Sequence, residues 1–130
     1  MPKAAAVLLV VGPDGKLVDP LPARAEPASH FAFVLINQSG DKFDLKIDFD
    51  EIVQKQDHSK KGNPFTGGGP THRQLNPGEI DLIKQKVRIP GDFGGAALPY
   101  TTYKYTVILK NITTGVTQAP YDPDIDVPPA

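Results

Sequence analysis

The sequence predicts an all-β protein: an antiparallel Greek-key β-sandwich in one domain over residues 1–130. Three observations carry this expectation. Apolar and polar residues alternate with a period of two in several short runs, the pattern of strands with one face on a core. Turn chemistry separates those runs, for the chain holds 14 prolines and 12 glycines among its 130 residues. No stretch sustains a period near 3.6, and the length fits one core of ordinary domain size, ~100–150 residues.

Taken in order, residues 7–11 (Val-Leu-Leu-Val-Val) are apolar on both parities, which predicts a strand covered on both sides. Pro13-Asp14-Gly15 turns it into a short partner at Leu17 and Val18. Residues 31–38 form the next strand, with Phe31, Phe33 and Leu35 on one face and Ala32, Val34 and Ile36 on the other. The turn Ser39-Gly40-Asp41 leads into 43–49, where Phe43, Leu45, Ile47 and Phe49 alternate with Asp44, Lys46 and Asp48. These two runs read as a hairpin. Residues 50–56 have local helical character at most.

Asn76-Pro77-Gly78 opens a strand over 79–89 whose apolar phase slips. Ile80 and Leu82 share one parity, whereas Ile83, Val87 and Ile89 share the other, so a bulge or bend is expected near Leu82. The last strand, 103–110, presents Tyr103, Tyr105, Val107 and Leu109 on one face. Thr113-Thr114-Gly115 then turns the chain back into 116–118. Two irregular connections remain, 54–74 and 90–99.

Composition excludes several function classes. Fourteen Lys and Arg against fifteen Asp and Glu leave a formal net charge of -1, so there is no electrostatic footprint for nucleic acid. The absence of cysteine removes disulfides, thiol nucleophiles and thiolate metal sites. Lys3 and the apolar run behind it lead straight into turn residues without a small-residue cleavage site, which argues against a signal peptide and favours a cytoplasmic location. That run is also far shorter than the ~18 apolar residues of a membrane span, so no membrane association is expected.

Three stretches resemble the cupredoxin-like sandwich: Phe33-Val-Leu-Ile-Asn37 leading into Asp41 and residues 43–49; Leu75-Asn-Pro-Gly-Glu79; and Tyr103-Lys-Tyr105-Thr-Val107. The last is similar to that family's Tyr-x-Tyr-x-Cys strand, and an Ig-like sandwich would use nearly the same pattern. The resemblance implies a copper-free member, because Val107 stands at the position of the copper-binding cysteine and the later His and Met ligands have no counterpart. No cofactor is therefore expected.

Candidate site residues concentrate in the connection over 54–74. It is long, glycine-rich and locally basic, with Lys55, Lys60, Lys61 and Arg73 against Asp57. Lys60, Lys61, Phe65 and Arg73 are its binding-loop candidates, Phe65 as an apolar anchor that either packs back on the sandwich or enters a partner. His58 and His72 lie in the same connection and are weak metal candidates, since no His pair has the spacing of a preformed site. Asp122, Asp124 and Asp126 fall at i, i+2 and i+4, a calcium-like oxygen set or the charged rim of an edge strand. Ser29, Ser39 and Ser59 lack a nucleophile-elbow context.

The function expected is that of a non-enzymatic binding or structural module. A strand apolar on both faces, as 31–36 is, needs cover on its outer side. The proline-rich stretch 20–27 is the expected cover, because local connections are the easier ones to make; the alternative is another chain, as a protein partner or by self-association through an apolar sheet face. The rival reading is copper or zinc binding through His58 and His72.

Overall fold

The computed structural model describes residues 5–19, 23–25, 29–54, 64–66, 70–87 and 101–127. Among them are eight strands and no helix: β1 (Ala5–Val11), β2 (Ala23–Arg24), β3 (His30–Asn37), β4 (Phe43–Gln54), β5 (Pro70–Leu75), β6 (Ile80–Lys86), β7 (Thr101–Asn111) and β8 (Asp124–Val127). They form a three-stranded sheet in the order β1-β3-β6 and a five-stranded sheet in the order β2-β8-β7-β4-β5. The two pack as a sandwich. Most pairings are antiparallel, but β1 runs parallel to β3 and β2 parallel to β8, so both sheets are mixed.

Period-two burial fixes which side chains meet between the sheets. Val7, Leu9 and Val11 of β1 and Phe31, Phe33 and Leu35 of β3 are buried; so are Phe43, Leu45 and Ile47 of β4 and Tyr103, Tyr105, Val107 and Leu109 of β7. Phe33 is the centre of the aromatic packing, with ring centroids 5.2 Å from Phe31, 5.5 Å from Phe49, 5.7 Å from Phe65 and 5.5 Å from Tyr105. Most of these contacts are edge-to-face, the arrangement that ring quadrupoles favour.

Residues 31–38 and 43–49 do not form the expected hairpin, because β3 and β4 belong to different sheets. The chain crosses between them, and Asn37 holds the crossing. Its Nδ2 donates to the carbonyls of Asp41 (2.8 Å) and Leu75 (3.0 Å), and its Oδ1 accepts from the Ser39 amide (3.0 Å) and hydroxyl (2.6 Å). One fully buried side chain thus satisfies backbone groups that a hairpin ladder would have paired. The same residue's main chain bonds Glu79 and Gly78. The turn at 76–79 closes with the Glu79 amide on the Asn76 carbonyl, and Gly78 at φ 80° occupies the left-handed position that a proline-led type II turn reserves for glycine.

Two irregularities fall elsewhere than expected. β3 and β6 stay in register from His30↔Lys86 to Ile36↔Ile80, with no bulge near Leu82. The apolar phase slips because Ile80 and Leu82 point outward while Ile83 and Val87 point in. The register shift lies instead in β4, between Asp48 and Val53 against β7. It lets Phe49 and Ile52, of opposite parity, both enter the core. The stretch with expected helical character is strand as far as Gln54, and β6 ends at Lys86. At the other end the turn after β7 is as expected: Gly115 adopts φ 79° and the Asn111 amide donates to the Val116 carbonyl at 2.8 Å.

Two substitutions test this account of the interior. The Tyr105 hydroxyl is buried without a hydrogen-bond partner, and burial, then the nearby Asp124 carboxylate, push its pKa well above the ordinary tyrosine value. Tyr105→Phe should therefore raise stability by about 1 kcal/mol in urea unfolding, since an unmet buried polar group is removed. Asn37→Ala strands buried carbonyls and should cost about 3 kcal/mol in the same measurement. A smaller loss than for an exposed asparagine such as Asn76 would mean that Asn37 does not hold the crossing.

Candidate functional site

The two outer faces of the sandwich differ in kind. On the five-stranded sheet the outward positions are mostly charged or polar, Ile108 of β7 excepted, and several of them pair across strands. Asp44 stands opposite Lys110, and Lys104 opposite Asp124, whose Nζ and Oδ1 are 2.8 Å apart. The Lys104 ammonium also reaches the Asp122 carbonyl, and Thr106 donates to the Asp122 carboxylate. The Asp122 and Asp124 carboxylates are thus engaged by Thr106 and Lys104 of β7. β8, moreover, is flanked by β2 and β7 rather than exposed as an edge strand.

On the three-stranded sheet the outward positions are apolar over most of the face, with His30, Lys84 and Lys86 at one end. Register sets Leu8, Val34 and Leu82 in one row, Val10, Ile36 and Ile80 in the next, and Ala6, Ala32 and Lys84 in a third. Val18 adds to the second row, since its amide donates to the Val10 carbonyl. Leu8 is 56% exposed, Val18 52%, Ile80 65% and Leu82 41%. Large aliphatic side chains this exposed and this contiguous mark an interaction surface. Charge frames the patch. Lys84 and Lys86 are exposed at one end, while Asp14 and Glu79 outnumber Lys16 at the other.

This geometry corrects two expectations. β1 is not covered on both sides, because Val7, Leu9 and Val11 are buried while Leu8 is exposed. Nor does the described part of the proline-rich stretch lie over the face: Ala23 and Arg24 pair with β8 in the opposite sheet, and Ala23 and Ala25 are core. Both misreadings have one cause. The double apolar parity of β1 and the slipped phase of β6 were the signal for an exposed face, and periodicity alone does not separate an apolar side chain that is buried from one left uncovered.

The binding-loop candidates are scattered. Lys60, Lys61 and His58 lie outside the described residues. Phe65 is wholly buried, its ring between Phe31, Phe33 and Phe49, and it bridges to Val87, so it packs back on the sandwich. Arg73 and His72 belong to β5 rather than to a loop. The Arg73 guanidinium lies 3.4 Å from Asp81 of β6, linking the edges of the two sheets. His72 Nδ1 lies 2.9 Å from Asp44 Oδ2 on the polar outer face. Among the described residues no three His, Asp or Glu side chains gather closely enough to hold a metal ion.

A second concavity, about 770 Å³, opens at the end of the sandwich between the turns at 12–16, 38–42 and 111–121. Its polar groups are bonded to one another. Asn111 donates to Asp41 (2.9 Å), Gln118 to the Gly15 carbonyl (2.6 Å) and the Tyr121 hydroxyl to Gln118 (2.7 Å). The network ties three turns together and leaves few donors for a ligand. No helix among the described residues is long and apolar enough to cross a membrane. No protein-family model and no curated protein matches the chain.

If the outer face of β1 contributes nothing to folding, neighbouring positions must respond oppositely. Leu8→Lys should leave chemical stability within about 0.5 kcal/mol of the parent, whereas Leu9→Ala, one residue further into the core, should cost about 3 kcal/mol. Paired urea titrations check this, and equal losses would place Leu8 in the folded interior.

Proposed function

We propose that this protein is a non-catalytic interaction module that engages protein through the outer face of its three-stranded sheet. The observation that carries this reading is the contrast between the two outer faces. One has charges paired across strands; the other presents two adjoining aliphatic rows to solvent. Leaving so much apolar surface uncovered forgoes roughly 25 cal/mol for every Å², and a partner seated there recovers it. The Phe33-to-Asn37, Leu75-to-Glu79 and Tyr103-to-Val107 stretches, which lie on β3, at the turn before β6 and on β7, support the scaffold's resemblance to a copper-free cupredoxin-like sandwich. In that setting Val107, buried opposite Ile47, packs where the family carries its thiolate.

Site-directed photo-crosslinking in extract of the native host tests the reading. A photoreactive residue at Leu82 should give a discrete protein adduct that a second substitution on the face, Val34→Asp, abolishes. The same probe at Lys46, on the polar face, should give none. Adducts of equal yield from both faces would overturn the proposal. So would stoichiometric copper or zinc retained by untagged protein and lost in His72→Ala, which would move the function to the five-stranded sheet.

A further inference from the structure

We infer that the occupant of this face is a second copy of the same chain, packed sheet against sheet about a two-fold axis that lies in the interface across the strands. The inference rests on the docking reading above and adds the partner to it. Its first support is shape. The face is a short sheet of aliphatic side chains in register, with no aromatic knob among the outward residues of its three strands. Such a surface matches another sheet face at the usual separation of ~10 Å.

The second support is the distribution of charge. A two-fold axis across the strands and through the row Leu8, Val34 and Leu82 lays β6 of one copy antiparallel over β6 of the other. Leu82 then meets its own counterpart, and Lys84 comes over Ile80 of the second copy. Lys86 reaches the end that carries Glu79, and by symmetry each contact occurs twice. The cationic end of each face thereby meets the acidic end of the other. A two-fold axis along the strands would instead bring the Lys84 and Lys86 ends of both faces to the same end of the interface, and like charges so placed oppose assembly.

Area sets the strength. Three strands ~4.8 Å apart, with the return at Leu17 and Val18 as a fourth, and seven residues at ~3.3 Å each make a face of about 20 by 23 Å. Two such faces remove roughly 900 Å² from water, below the ~1,200–2,000 Å² of stable complexes and within the range of transient ones. The dimer is therefore weak and dissociates on dilution, with Kd roughly between micromolar and millimolar.

Sedimentation velocity of the untagged protein between about 10 µM and about 2 mM, a span chosen to bracket that range, reads the outcome. The weight-average mass should climb from 14.0 kDa toward twice that value. Leu8→Asp and Leu82→Asp should each raise Kd at least about tenfold, with near-ultraviolet circular dichroism confirming that the variants are folded. At low salt Lys86→Glu and Glu79→Lys should each weaken association about three- to tenfold, and the double variant should return to within about twofold of the parent. A mass fixed at the monomer value up to the highest concentration overturns the inference. So does a dimer indifferent to Leu8→Asp and Leu82→Asp, and a double charge variant weaker than either single one overturns the antiparallel arrangement. If self-association fails while the Leu82 photoadduct with a different protein persists, the docking face stands and only its occupant is wrong. If both fail, the docking reading falls too.

Discussion

The buried carboxamide of Asn37 is the constraint on which the sandwich depends. It sits where the chain leaves one sheet for the other, and each of its hydrogen-bonding groups meets a partner from a different part of that crossing. Because Leu75 ends β5 and Glu79 precedes β6, the same residue holds the connection by which the chain returns to the first sheet. Two sheet-to-sheet passages are therefore clamped at one point. A hydrophobic residue of similar size would fill the space but leave buried carbonyls without donors, a cost of roughly 1–3 kcal/mol for each such group. Packing sets the distance between the sheets, and Asn37 sets how the chain passes between them.

With the interior fixed in this way, the outer faces are free to diverge. The five-stranded sheet follows the usual solution for a solvated face, opposite charges on neighbouring strands, each pair worth only a few tenths of a kcal/mol to about 1 kcal/mol. The three-stranded sheet departs from it. Its β1 and β3 run parallel, and parallel pairs are characteristic of sheets covered on both sides. Their near-continuous apolar sequences are those of strands with two layers to touch, yet one of those layers is solvent. The inner layer accounts for the folding of the domain, and the outer one is left to account for its use.

Much of the architecture is legible in the sequence, and the parts that are not share a physical origin. Alternation, strict over 43–49 and interrupted only by Ile108 over 103–110, identifies β4 and β7 because a half-buried strand has one polar face to betray its orientation. Turn residues with a required backbone conformation, Gly78 and Gly115, mark their positions directly. What a single sequence does not contain is the partner of each strand. Residues 31–38 and 43–49 with a short turn between them satisfy a hairpin and a sheet-to-sheet crossing equally, and the difference resides in the Asn37 side chain. Phe65 looks solitary within a glycine-rich stretch, although its ring completes the cluster around Phe33. Arg73 looks like one charge of a basic loop and is instead an inter-sheet tie to Asp81. The exposed face was visible only as an anomaly in phase, since Ile80 and Leu82 are apolar residues whose burial the chain alone does not supply.

The position of β8 bears on the order in which the molecule is made. Its residues, 124–127, lie between β2 and β7, so the five-stranded sheet pairs Ala23 with Ile125 across about a hundred intervening residues. During synthesis the earlier strands emerge with Ala23 and Tyr103 lacking a neighbour that has yet to be translated, and the gap between β2 and β7 closes only when residue 127 has cleared the ribosome. Until then the aliphatic outer face and the unfinished inner one are exposed together on a tethered chain. Emergence of residues 124–127, rather than of any earlier strand, is the step that joins β2 to β7 and completes the five-stranded sheet.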